Sequence, residues 1–183
     1  MIVLAIDPGT KQSGYVVYDT EKQEILAMHI LLNNLLPVSI KFFSYYNPVK
    51  GEELNIEIDV LVYEGMNLYH AVSEDTIQTL IWCGEFRGVF KQYHWDRCRK
   101  RVKGAFVPMP EVHEIKRSAI RRLFGVKNDS GIRAALIDRF GGSRSVAVGT
   151  KKQKGKLYGV KSHIWSALAV AICYAETTGA NNV

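Results

Sequence analysis

Apolar residues fill positions 1–6, MIVLAI, and the run stops at an acid, Asp7, followed at once by Pro8-Gly9. A short run rich in β-branched residues predicts a buried strand. Pro presets φ and Gly accepts φ > 0, so the dipeptide predicts a turn. SGYVVY at 13–18 then predicts a second strand returning antiparallel, and EILAMHIL at 24–31 a third, joined by a hairpin connection at 19–23. From Pro37 to about Glu53, Ile40, Phe43 and Tyr46 predict one face of a helix that Asn47-Pro48 threatens to break. DVLVYEG at 59–65 repeats the opening construction, an apolar strand closed by an acid and Gly. A strand reached through a helix pairs parallel with the first.

Ser73-Glu74-Asp75 predicts a helix start with acids on the positive end of the dipole, the helix running towards Tyr93. Gly84 and Gly88 within it predict close packing against another backbone. Ala105 to Pro108 predicts a short strand, and Pro110-Glu111 opens a basic helix. Asp129-Ser130 caps a helix ended by Gly141-Gly142. Residues 142–161 are rich in Gly and Lys without strong periodicity, which predicts a flexible basic loop. Ser162 caps a last helix, HIWSALAVAI, apolar nearly all round and therefore buried. No internal repeat is present.

A chain of 183 residues fits a single domain, 1–183. No stretch reaches the roughly 20 apolar residues of a membrane span. No basic segment precedes residues 1–6 as in a signal peptide, so a cytoplasmic location is expected. Cys83, Cys98 and Cys173 are widely spaced and read as reduced thiols. Charge changes the picture more. Residues 87–161 carry 20 Lys/Arg against 5 Asp/Glu, leaving 4 and 13 elsewhere, so one part is +15 and the other −9. A basic part beside an acidic part suits a polyanion held near carboxylates. Interleaved aromatics, as in KQYHWDRCRKRVKG, favour nucleic acid. Candidate phosphate contacts are Arg97, Arg99, Lys100, Arg101 and Lys103, then Lys151, Lys152, Lys154 and Lys156.

Asp7 and Glu64 end strands predicted to be neighbours. Two unpaired carboxylates repel, and hard oxygen donors are what Mg²⁺ prefers. His163 stands in the first turn of the last helix, where the apolar pattern does not call for a His.

The ordered set AIDPGTKQSGYVV, LVYEG, CGEFRGVF, EVHEIKRSAI, DSGIRAALIDRFGG and HIWSALAVAICYAE resembles the RuvC family of Holliday junction resolvases. The resemblance covers the chain except for roughly 37–57 and 142–161. It implies a ribonuclease H-like α/β fold: a five-stranded mixed sheet, three antiparallel strands and then parallel ones, flanked by helices. It implies a homodimeric, metal-dependent endonuclease that nicks branched DNA in the cytoplasm of a bacterial or phage-infected cell. It also implies two Mg²⁺ ions per site, with Mn²⁺ as a substitute, and assigns Asp7, Glu64 and His163 as metal-binding and catalytic residues. Where the family commonly has two acids three residues apart before Ala-Leu-Ala, this chain has His163 and Ser166 before Ala167-Leu168-Ala169.

Two rival classes share part of this pattern. A non-catalytic branched-DNA-binding protein fits the loss of an acid at Ser166. An ATPase of the actin-like and sugar kinase group shares Asp-x-Gly-Thr but needs two such domains. A P-loop is excluded, because Gly149 to Lys156 is one residue too long and Leu157 stands where Ser or Thr is required.

Overall fold

The computed structural model describes residues 1–66, 72–101 and 110–179, without the side chains of 97–101 and 179. Strands β1 (Ile2–Asp7), β2 (Gln12–Asp19) and β3 (Glu24–Leu32) form an antiparallel meander. Helix α1 (Leu36–Phe42), a hairpin of β4 (Ser44–Asn47) and β5 (Glu52–Asn55), and β6 (Val60–Gly65) follow. Next come α2 (Glu74–Arg101), β7 (Glu111–Lys116), α3 (Arg117–Phe124), α4 (Asp129–Gly141), α5 (Arg144–Ala147) and α6 (His163–Gly179). The main sheet has the order β3-β2-β1-β6-β7, with β6 parallel to β1 and β7 parallel to β6. This is the expected mixed sheet.

Side-chain alternation divides the core into two layers. Val3 and Ala5 of β1, with Val60 and Val62 of β6, pack under α6, α3 and α4. Leu4, Ile6, Leu61 and Tyr63 face the other way, against α1 and against Cys83, Phe86 and Phe90 of α2. Helix α6 is wholly buried from Ala167 to Cys173, as its uniform apolarity demands.

Four expectations are corrected. The helix expected over 37–53 ends at Phe42, where Phe43 turns left-handed at φ 54°. Asn47 then accepts bonds from the N–H groups of Val49 and Lys50, so the Asn-Pro signal belongs to a hairpin turn and not to a broken helix. The basic helix expected from Pro110 begins only at Arg117, because 111–116 is the fifth strand, hydrogen-bonded to β6. The strand expected at 105–108 lies outside the described residues. The flexible loop expected at 142–161 is anchored: Ala147 and Leu157 are fully buried, Leu157 N–H donates to Ala147 O at 2.7 Å, and Gly149 pairs with Lys154. The cap of α4 is Asn128, whose side chain accepts from Gly131 N–H, one residue earlier than expected. Among the described residues no helix is long and apolar enough to cross a membrane.

Candidate active site

Register and parity bring the two acids together. Ile6 lies beside Tyr63 in the parallel pair, so the next residues, Asp7 and Glu64, leave the strand ends side by side. Both share the parity of the residues that face α6. Helix α6 begins over this point. Gly14, the partner of Asp7 in β2, permits the approach, since a Cβ there would stand 2.6 Å from the backbone of His163. The turn after Asp7 is held from below: Asn33 donates to Gly9 O at 2.8 Å, and Gly9 N–H donates to Ser13 Oγ. Ser13 Oγ donates in turn to Asn33 Oδ1 at 2.7 Å, and Ser13 and Asn33 are both buried.

His163 Nδ1 lies 2.8 Å from Asp7 Oδ2. With the carboxylate oxygen as acceptor, Nδ1 carries the proton of this bond, and in the neutral ring Nε2 presents the lone pair. The bond to Asp7 holds the imidazole pKa above its ordinary 6.5 despite partial burial, and the charges of Asp7 and Glu64 act in the same sense. On the other side, Arg117 Nε bonds Glu64 Oε1 at 2.5 Å. Its two terminal nitrogens each donate to Ser166 Oγ at 3.3 Å, and one lies 3.7 Å from Asp129 Oδ1. Asp7, Pro8, Glu64, Gly65, Met66, Thr76 and Arg117 line a cleft of about 280 Å³ over the acids.

Burial, and then the charge of Asp7, push the Glu64 carboxyl up to about 7, against the opposing pull of Arg117. Glu64 therefore holds its proton in the fold between pH 4.5 and about 7, where the unfolded chain has lost it. Stability from this group is complete below pH 4.5 and disappears as the pH rises through about 7. The raised pKa of His163 acts in the same direction, its contribution present below 6.5 and lost above the folded value. In chelator, the wild-type protein should thus lose about 3 kcal/mol relative to Glu64→Gln across this interval. Urea denaturation at several pH values measures this, and a difference flat with pH would contradict it.

Among the described residues, no three His, Cys, Asp or Glu side chains converge as a ready set of metal ligands. Two observations nonetheless fit one hard cation: Glu64 Oε2 is buried without a hydrogen-bond partner, and the charge of Asp7 adds to the cost of ionising Glu64. Beside Ser166 the fit fails, because a neutral hydroxyl and a guanidinium stand there.

The structure thus sets Asp7 beside Glu64 and bonds His163 to Asp7. Arg97, Arg99, Lys100 and Arg101 lie on the last turns of α2, and Lys103 falls outside the described residues. Lys151 and Lys152 are exposed in a turn. Lys154 and Lys156 border a hollow with residues 22–25, at the sheet end where β3 starts, opposite the end that carries Asp7. Lys154 Nζ is engaged there with the carbonyls of Pro48 and Val49. The cations beside the acids are instead Arg117, with Arg121 bonded to Asp129 and Arg133 next to Trp165 and Ser166. Sequence reading missed Arg117, because the strand that sets it beside Glu64 shows no alternation in the sequence.

No family model matches the sequence, and no curated protein matches it. Solved structures do. Thermus thermophilus RuvC is similar at TM-score 0.58 and 14% identity, covering 99% of this chain and 97% of that one. T. thermophilus RuvC in complex with Holliday junction substrate gives 0.57 at 14% identity, covering 98% and 96%. The chain has the RuvC fold. A Fowlpox virus resolvase in complex with Holliday junction DNA has a TM-score of 0.45 at 10% identity, covering 97% of this chain and 99% of that one. The two RuvC comparisons span nearly the whole chain.

Proposed function

We propose that the protein is a divalent-metal-dependent endonuclease that nicks four-way or other branched DNA junctions, acting as a homodimer in the cytoplasm of a bacterial or phage-infected cell. The observation that carries this reading is the placing of Asp7 and Glu64 at the ends of adjacent parallel strands, with His163 of α6 bonded to Asp7, in a RuvC fold. T. thermophilus RuvC is the protein whose complex with a Holliday junction supplies the substrate class.

Asp7 and Glu64 hold Mg²⁺, or Mn²⁺ in its place. When bound, the cation supplies Lewis acidity toward the phosphodiester. Asp7 also fixes the tautomer of His163, which accepts a proton through Nε2. Arg117, Arg121 and Arg133 provide positive charge beside the cleft, where a scissile phosphate and its neighbours lie. The expected contacts on α2 and at Lys151, Lys152, Lys154 and Lys156 serve phosphates farther along the DNA arms.

Two-fold cleavage needs two sites, and α2 supplies a face for a second copy. Ile77 and Ile81 are 50% and 57% exposed. Gly84 and Gly88 continue the same face, and within the described structure nothing lies within 4 Å of where their Cβ atoms would be. The close packing that these glycines predict therefore has no partner among the described residues. A closed two-fold pairing of α2 with itself buries this stripe. Wild-type protein is expected to sediment as a dimer, and Ile81→Glu to weaken the dimer by about tenfold or more. A wild-type monomer, free and on DNA, would contradict the pairing.

A supercoiled plasmid with an extruded cruciform tests the whole reading. Paired nicks in Mg²⁺ should linearise it, while the relaxed plasmid without the cruciform should stay intact. Equal cutting of both would remove the branch specificity.

A further inference from the structure

We propose that the guanidinium of Arg117 takes the place of a second cation, so that the site works with one divalent ion and one built-in positive charge. The inference deepens the nuclease reading and rests on it. Arg117 opens α3 directly after β7, and its side chain, 24% exposed, reaches three other elements at once. It bonds Glu64 on β6, Ser166 on α6 and, more loosely, Asp129 on α4.

The chemistry of these partners is unequal. Ser166 stands one helical turn after His163 on the same face, where a carboxylate would complete a second cation site. A hydroxyl brings neither charge nor strong ligation. The guanidinium takes the hydroxyl oxygen from two nitrogens and one oxygen of Glu64 as well, and its own charge repels a dication placed beside it. Arg is charged at every working pH, so this positive charge does not depend on metal supply. Glu64 keeps one oxygen, Oε2, buried and without a hydrogen-bond partner.

Arg117 can therefore neutralise phosphoryl oxygens through N–H donors, as a cation does. It cannot activate a water, and that task stays with the single ion and His163. In place of the two ions that the family resemblance implies, the structure assigns one.

Titration calorimetry with Mn²⁺ on the full chain without DNA reads the count. One Mn²⁺ per chain is expected for the wild type and for Arg117→Lys, which keeps the charge. Two are expected for Arg117→Met/Ser166→Asp, with circular dichroism confirming its fold. Two ions in the wild type, or one in the folded double variant, would overturn the proposal. Should the double variant not fold, electron paramagnetic resonance of the wild type decides: the spectrum of isolated Mn²⁺ supports the proposal, and that of a dipolar-coupled pair overturns it. If the wild type binds no Mn²⁺ at all, the metal-dependent reading fails and this inference fails with it, whereas a count of two leaves that reading standing.

Discussion

Asp7→Asn and Glu64→Gln are each expected to slow junction cleavage by about a thousandfold or more, while affinity for the junction stays at or above the wild-type level. On the proposed function, either change removes an oxygen ligand and several kcal/mol of transition-state stabilisation with it. The same change removes a negative charge that faces the phosphate, so binding has no reason to weaken. The fold tolerates both amides. The amide oxygen introduced by Asp7→Asn still accepts from His163, and Glu64→Gln replaces a carboxyl that burial already pushes up to about 7. Band shift in chelator and single-turnover nicking in Mg²⁺ separate the two effects. Parallel loss of binding and cleavage in folded variants would make the acids structural.

His163→Ala is expected to cost about a hundredfold or more in cleavage, the range of a lost proton acceptor. The wild-type rate should climb with pH through the pKa of His163, which the bond to Asp7 holds above 6.5. The sign follows from the working form: neutral Nε2 accepts a proton, so protonated enzyme is silent and the rise lies on the alkaline side of the ordinary imidazole value. In His163→Ala the residual rate should lose this rise. A histidine that only caps α6 would behave otherwise, lowering thermal stability and leaving the pH profile in place. Single-turnover rates from pH 6 to 9 distinguish the cases, in the interval where a titrating imidazole changes rate about tenfold per unit.

The acids were legible because their positions follow from rules that act locally. An apolar run ending in acid and Gly occurs twice, and parallel pairing then makes Asp7 and Glu64 neighbours. His163 was legible as the polar residue opening an otherwise apolar helix. Arg117 was not. Strand β7 lies at the sheet edge, and of Glu111 to Lys116 only Ile115 is buried, so the sequence shows charged helix formers with no alternation to betray a strand. Reading it as helix placed Arg117 in mid-helix, away from Glu64. The hairpin at 44–55 was hidden because Ile40, Phe43 and Tyr46 mimic helical spacing, whereas Tyr45 and Asn47 are the inward pair. In 142–161, inward Ala147, Leu157 and Val160 are too few among Gly and Lys to signal the packing that backbone pairing completes. The cations followed the same logic. Charge counting found the basic part of the chain, but only tertiary structure shows that Arg121 and Arg133 border the acids and that Lys154 is engaged at the far end of the sheet.

On the proposed function, two strand-end carboxylates with a bound cation hydrolyse phosphodiesters at a DNA branch. An end-labelled synthetic four-way junction, incubated with excess protein in Mg²⁺ and in chelator, tests it most directly. Nicks at the branch point are expected in Mg²⁺, none in chelator, and none in a linear duplex of the same sequence. A junction bound tightly by the wild-type protein yet left uncut in both Mg²⁺ and Mn²⁺ would contradict it and leave a branched-DNA-binding protein without catalysis.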